Sequence, residues 1–245
     1  MTAVVRQPAA KGETRAREAP QVLWQRHLPR TRAGAPALTP EEIAAAAMDI
    51  ADRQGLPAVS VKRVAAKVGV PAARLERYLT SREDLFDLML DAAYSHVEYP
   101  ESNPSAGWPA ELKAMAYAIR AATAKHEWMA LLIGNRAPCG PHGLRFTERL
   151  LASAVPSGLD PVALTHATNA VLAYVVGSVR LTSSSTEDAQ DQSRRALIAQ
   201  YLQQQAAAGS YPTLGLVLAA TATVTGADAF ETGLDLLLAG IAATA

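Results

Sequence analysis

The sequence predicts an all-α protein: a three-helix head near the N-terminus followed by a larger helical body. Three observations carry this. Apolar residues recur at helical spacing through most of the chain, and no run alternates apolar and polar residues as a half-buried strand does. Helix starts and stops punctuate it, with proline or a small hydroxyl residue at openings and glycine at ends. The charge also divides in two, although the 23 Lys+Arg and 23 Asp+Glu of the 245 residues cancel. Residues 1–82 hold 14 basic and 7 acidic side chains, which leaves 9 basic and 16 acidic for residues 83–245.

Composition excludes several classes. With 49% hydrophobic and 19% charged residues, the chain can bury a sizeable core and is not wholly disordered. A single cysteine, Cys139, excludes an intrachain disulfide framework and a cysteine-built zinc site, and suits a reducing compartment. No apolar run is expected to reach the roughly 18 residues of a membrane span. The opening residues lack the apolar stretch of a signal peptide. A cytoplasmic protein with no membrane partner is expected.

The elements follow in order. Residues 1–37 read as a basic, disordered arm, with seven Lys+Arg, two Glu and four prolines. A short helix is expected over Gln21–His27. The arm either touches DNA phosphates or a minor groove, or serves as a solubilising tail. The head is expected over residues 38–84. Thr39-Pro40-Glu41-Glu42 is a helix start: Thr39 caps, Pro40 takes the first helical position, and Glu42 sits three residues after the cap. Ile43, Ala46, Ala47, Ile50 and Ala51 face inward, and Gly55 ends the helix. Ser60 caps a second helix through Val68, with Val61, Val64 and Ala65 inward. Gly69-Val70 turns the chain, and Pro71 opens a third helix through Tyr78 around Leu75. Ser81-Arg82-Glu83-Asp84 caps a fourth, carrying Leu85, Phe86, Leu88, Met89, Ala92, Ala93 and Val97.

The body is expected over residues 85–245. Three prolines and a glycine make Tyr99–Pro109 a break. Further helices are predicted at Pro109–Lys125, Trp128–Ile133, Gly143–Ala154, Pro161–Leu181, Gln192–Ala208 and Ala229–Ala243. Ser183–Asp191 is polar. No internal repeat is present.

Two short helices joined by a glycine turn form a helix-turn-helix, whose second helix enters the major groove of DNA. A plain helical hairpin has the same outline, but a basic front on an acidic back suits phosphate contacts. The candidate DNA contacts are Val61, Lys62 and Arg63 on the supporting helix, Ala72, Ala73, Arg74, Glu76, Arg77 and Tyr78 on the recognition helix, and Arg82 at the next helix start. Arg74 and Arg77 lie three apart and share a face.

The run from Leu38 to Leu90 resembles the DNA-binding domain of the tetracycline-repressor (TetR) family. The matching features keep the family's order: Ile43 and Ala46, Gly55 at the first helix end, Ser60 at the usual Thr, Val64-Ala65 at a Leu-Ala pair, Gly69-Val70 in the turn, Leu75, and Ser81-Arg82-Glu83-Asp84-Leu85. The recognition helix departs from the family, reading Leu75-Glu76-Arg77-Tyr78-Leu79 where Leu-Tyr-x-His-Phe is usual. Glu76 then repels a phosphate, accepts from a cytosine amino group or pairs with an arginine. Tyr78 keeps a hydroxyl for phosphate, and Arg82 replaces the family lysine. The remainder resembles the C-terminal domain of the tetracycline-repressor branch through Trp108, His126, Gly140-Pro141-His142-Gly143-Leu144, Gly158-Leu159-Asp160-Pro161, Ala173-Tyr174-Val175-Val176-Gly177 and the closing Phe230–Ile241.

The resemblance implies a homodimer with a small-molecule cavity in each body and a double-stranded DNA operator as partner. Its ligand-lining positions fall at Glu98, Met115, Ile119, Ile133, Arg136, Thr147, Leu150, Leu151, Thr165 and Thr168. They suit a flat hydrophobic effector with a few hydrogen bonds. Ile133 stands where the family's magnesium-linked histidine would be, so neither a metal nor a cofactor is expected. His96, His126, His142 and His166 read as structural or exposed. Dimerisation has support from the residues too: Pro161–Leu181 and Ala229–Ala243 are apolar on more than one face. The rivals are an all-α enzyme and a protein-binding adaptor. The enzyme lacks any convergent catalytic motif, and the head motif with its charge speaks against the adaptor. The expected function is a ligand-responsive transcriptional repressor, not an enzyme.

Overall fold

The structure, a computed structural model, describes residues 22–25, 38–101, 103–182, 189–221 and 226–244. The regular elements among them are α-helices and short 3-10 turns. Helix α1 (Pro40–Gln54) starts with the expected reciprocal cap: Glu42 N donates to Thr39 Oγ1 at 3.2 Å, and Thr39 N donates to Glu42 Oε2 at 3.0 Å. Ser60 caps α2 (Val61–Lys67) by accepting from Arg63 N at 3.3 Å. The turn after α2 depends on Gly69, whose φ of 71° is left-handed. Gly69 N donates to Ala66 O and Val70 N to Ala65 O, closing the helix end. Helix α3 is shorter than the sequence implies, Ala72–Leu75, and turns carry it on to Tyr78. Leu75 and Leu79 pin this segment to the core.

Helix α4 (Arg82–Ser95) crosses the expected boundary after residue 84 and joins head to body. Ser81 and Asp84 form its capping box. The body adds α5 (Trp108–Lys125), α6 (Glu127–Ile133), α7 (Pro141–Ala154), α8 (Pro161–Thr182), α9 (Ala189–Ala207), α10 (Pro212–Thr221) and α11 (Gly226–Ala242). Of the N-terminal arm only residues 22–25 are described, as a 3-10 turn at Leu23–Gln25 within the expected helix Gln21–His27. The polar Ser183–Asp191 stretch lies largely outside the described residues; its end already belongs to α9. Helix α10 was not expected. Gly215 within an unbroken apolar run hid its period, although Gly209 (φ 78°) and Pro212 mark its start.

One core runs through both parts. Leu23, α1 and α4 share it with α5, α7, α8 and α11, and α1 packs most extensively on α4. Helix α8 corrects the expectation on membrane length: Pro161–Leu181 is long and apolar enough to cross a membrane. It packs on α5, α6, α7 and α11 instead, and Thr165, His166, Thr168 and Asn169 interrupt it. Lys113 of α5 bridges Glu231 (2.9 Å) and Asp235 (2.7 Å) of α11, and Tyr174 Oη donates to Phe230 O at 2.9 Å.

The joint between α4 and α7 is buried and partly polar, beside the stack of Tyr94 on Phe146 at 4.9 Å. Asp91 of α4, 6% exposed, accepts at Oδ1 from His142 N (2.9 Å) and Gly143 N (2.8 Å), and so caps α7. A side chain at Gly140 would stand 2.2 Å from Asp91 Oδ1 and 2.6 Å from Trp24 Cζ2, so only glycine lets both approach. Burial holds the Asp91 pKa above its ordinary 3.8, against the Gly143 and His142 hydrogen bonds and the nearby His142 charge. A raised folded pKa means that this group's stabilisation is full below the unfolded value and is lost as pH rises through the folded one. Asp91→Asn keeps an acceptor for both amides but does not titrate. Relative to this variant, the native protein should lose melting temperature as pH rises from about 4, the unfolded carboxyl's value, through the raised folded one. Parallel melting curves would show that the Asp91 pKa is the same in the folded and unfolded states.

Candidate nucleic-acid interface and ligand cavities

Helices α2 and α3 present the expected surface. Lys62, Arg63, Ala73, Glu76, Arg77 and Arg82 are exposed, and Val61, Ala72, Arg74 and Tyr78 are half-buried above Val64, Leu75 and Leu79. Several of the head's cations also hold it together. Arg63 Nη1 donates to Ala58 O at 3.2 Å, and Nη2 bonds Gln54 Oε1. Lys67 Nζ donates to Asp49 Oδ2 at 2.6 Å; this bond leads the causes that hold the Asp49 carboxyl below its usual range. Arg82 Nη2 donates to Leu56 O at 2.6 Å, with its guanidinium 4.9 Å from the Phe86 ring centre. Arg82 thus ties the start of α4 to the loop after α1. A long-range bond to a backbone carbonyl leaves no trace in sequence spacing.

The expected ligand residues scatter. Met115, Ile119, Leu150 and Thr168 are buried; Ile133, Arg136, Thr147 and Leu151 are half-buried; Glu98 and Thr165 are exposed. Thr147, Thr165 and Thr168 donate to carbonyls of their own helices. Arg136 reaches back to the first turn of α4: Nε donates to Asp87 Oδ1 at 2.9 Å, Nη2 to Glu83 O at 2.9 Å, and Nη1 pairs with Glu83 Oε2.

Two cavities flank α7. One, of about 480 Å³, lies between the break after α4, α5 and the C-terminal half of α7. Its walls include Tyr99, Glu111, Met115, Arg149 and Ser153, so among the expected residues Met115 alone borders it. The Tyr99 hydroxyl is sealed from solvent without a hydrogen-bond partner. The Arg149 guanidinium stands 4.7 Å from the Tyr99 ring centre, and burial pushes the Tyr99 pKa up. The other cavity, of about 490 Å³, lies between α1, α4, the start of α7 and Trp24. Its walls gather His96, His126 and His142, which the sequence scatters across 47 positions. Helical spacing within single elements does not foresee that convergence.

A basic helix-turn-helix set on a cavity-bearing helical body defines a one-component DNA-binding regulator. Comparison with known proteins agrees. The family model "Tetracyclin repressor-like, C-terminal domain" matches residues 99–245. The chain is 32% identical over 242 residues to an HTH-type transcriptional regulator of Saccharopolyspora erythraea, covering 96% of this chain and 98% of that one. It is 34% identical over 160 residues to the HTH-type transcriptional repressor DrrR1 of Streptomyces coeruleorubidus, where the match spans 65% of this chain and 59% of DrrR1. Among solved structures it resembles Streptomyces coelicolor ActR in complex with actinorhodin, with 27% identity, a TM-score of 0.75, and coverage of 86% of this chain and 98% of ActR. The chain belongs to the TetR family of transcriptional regulators; it is a regulator and not an enzyme.

Arg82 and Lys62 offer a contrast. Arg82→Ala should cost about 0.5–1.5 kcal/mol of stability, because the bond to Leu56 O and the contact with the Phe86 ring are lost, while Val59 N still donates to Leu56 O. Lys62→Ala should stay within about 0.5 kcal/mol of the native protein. Chemical denaturation measures both, and equal losses would remove Arg82 from the head's framework.

Proposed function

We propose that the chain is a homodimeric repressor whose recognition helices read a near-palindromic operator and whose body releases it on binding a flat, mainly apolar effector. It works in the cytoplasm, where the operator is. The observation that carries this reading is the cavity under Tyr99. It combines an apolar wall at Met115 with a buried, unpartnered hydroxyl, the pairing a small-molecule site needs. ActR, similar over 86% of this chain, has been solved with actinorhodin and with (S)-DNPA. The test uses actinorhodin as probe. It should release the native chain from its operator, with and without a chelator, and Met115→Trp should block release while DNA binding persists. Release that a chelator abolishes would overturn the metal-free mode.

The DNA contacts are proposed at α2, α3 and Arg82, as set out above. Arg77→Ala and Lys62→Ala should weaken operator and random duplex alike and lower the salt slope by about one each. Arg74→Ala should cost about 1–3 kcal/mol on the operator only. Equal losses for all three on both duplexes would remove Arg74 as a base reader.

The dimer is proposed to form on α8 and α11. Val162 is 65% exposed and Leu236 70%, both large apolar groups on these helices. Nothing lies within 4 Å above Gly177 or Gly240, leaving room for a second backbone. Leu172 and Leu237 turn partly into the body's own core, so they report folding as well as assembly. Leu236→Glu with Ala239→Glu should therefore sediment as a folded monomer, and an unchanged dimer would place the interface elsewhere.

A further inference from the structure

We propose that the cavity between α1, α4 and the start of α7 is a second ligand site, taking a flat aromatic cation that carries N–H donors. It is separate from the cavity under Tyr99. Three independent features support it. The first is charge: Glu41, Asp49, Asp52 and Asp91 border the cavity, and neither lysine nor arginine does. Asp49 is already neutralised by Lys67 and Arg53. Among the described residues neither Asp52 nor Asp91 has a lysine or arginine partner: Trp128 Nε1 (2.6 Å) and the His126 ring bond the first, backbone amides the second.

The second feature is an unmet acceptor. His126 is 7% exposed, and its Nδ1 lies 2.9 Å from Asp52 Oδ1. Nδ1 donates to that carboxylate, so Nε2 is the acceptor of the ring's neutral form. Nε2 is buried and has no partner. A buried polar atom without a partner is costly, and an ammonium or hydroxyl donor entering the cavity would relieve it.

The third feature is the apolar floor. Trp24, Met48 and Leu88 supply an indole and two aliphatic walls, which suit a planar ring system, and the indole also favours a cation. An anion would meet Glu41 and Asp52 with no lysine or arginine on the wall to offset them, and a purely apolar ring would leave Nε2 unpaired. A planar cation with N–H donors satisfies all three.

The position gives such a ligand a role. The site touches α1 of the head, α4, and the α7 start that Asp91 caps. A ligand there would brace head against body directly, on the opposite end of α7 from the Tyr99 cavity.

The experiment uses the full chain without DNA, and calorimetric titration with proflavine, a planar cation, against acridine, its uncharged counterpart at neutral pH. Proflavine should bind at least about tenfold more tightly than acridine. Glu41→Gln, an exposed change, should weaken proflavine about threefold or more, and Ala45→Trp, which fills the cavity, about tenfold or more. Met115→Trp, in the Tyr99 cavity, should leave proflavine binding unchanged. Thermal melts check that each variant is folded, and Glu41→Gln carries the test if Ala45→Trp is not. Equal affinity for the two probes, no proflavine binding, or a loss confined to Met115→Trp would each overturn the proposal. The last result would leave the Tyr99 cavity standing as an effector site.

Discussion

The capping of α7 by Asp91 is the contact on which the arrangement of head and body depends. Helix α4 belongs to both: its first turn closes the head and its last turn reaches the body's break. Apolar packing alone would let it slide, because contacts between methyl groups are not directional. A carboxylate that accepts two amides at 2.8 and 2.9 Å has one position and one direction. Gly140 makes that position accessible by carrying no side chain. Arg136 adds a second directional tie, from the segment between α6 and α7 to Glu83 and Asp87 at the opposite end of α4. The two ties come from neighbouring parts of the chain and grip α4 at points about one to two turns apart. The head therefore follows the α6–α7 segment as a unit.

The basic surface of the head is partly framework. Arg63, Lys67 and Arg82 each have an intramolecular acceptor, so their charge is placed before any DNA arrives. Preplacement lowers the ordering cost of binding, since a long cationic side chain otherwise loses rotamer freedom on contact. The same residues close the head's loops, and a loss of DNA affinity on mutating them mixes contact with framework. Lys62 and Arg77 stand on exposed positions of α2 and of the turn after α3, which makes them the cleaner reporters of the surface's own contribution.

How much was legible in the sequence follows from the range of each interaction. The caps at Thr39, Ser60 and Ser81 span three residues, and each appears where the sequence places it. The turn at Gly69 needs a left-handed residue and has one. Helix existence in α1, α2 and α4–α8 was equally legible, because apolar period and punctuation agree there. Legibility stops where the chain meets itself. The Arg82–Leu56 bond spans 26 positions and Arg136–Glu83 spans 53; nothing in local spacing distinguishes these arginines from solvated ones. Arg136 was expected at the ligand on resemblance alone, and the structure gives its guanidinium to α4. Helix α10 was missed for a different reason: in an apolar run without polar interruptions, period carries no information.

The position of α7 links these features. One cavity lies at its N-terminal end, against Pro141 and His142, and the other along its C-terminal half, against Arg149 to Pro156. On the proposed reading, an effector under Tyr99 acts on the far end of a helix whose near end is held by Asp91. A helix is stiff over this length, so a displacement at one end is carried to the other without loss in intermediate packing. It reaches α4 through the Asp91 cap and through the stack of Tyr94 on Phe146, and through α4 it reaches α1. A ligand shifts that arrangement only by the difference between its affinities for the two positions of α7. Coupling of about 1–3 kcal/mol is a usual size for such a device, and it is comparable to the strength of the charge-assisted hydrogen bonds Asp91 makes. The Asp91 cap is thus strong enough to transmit the shift and weak enough to be altered by it.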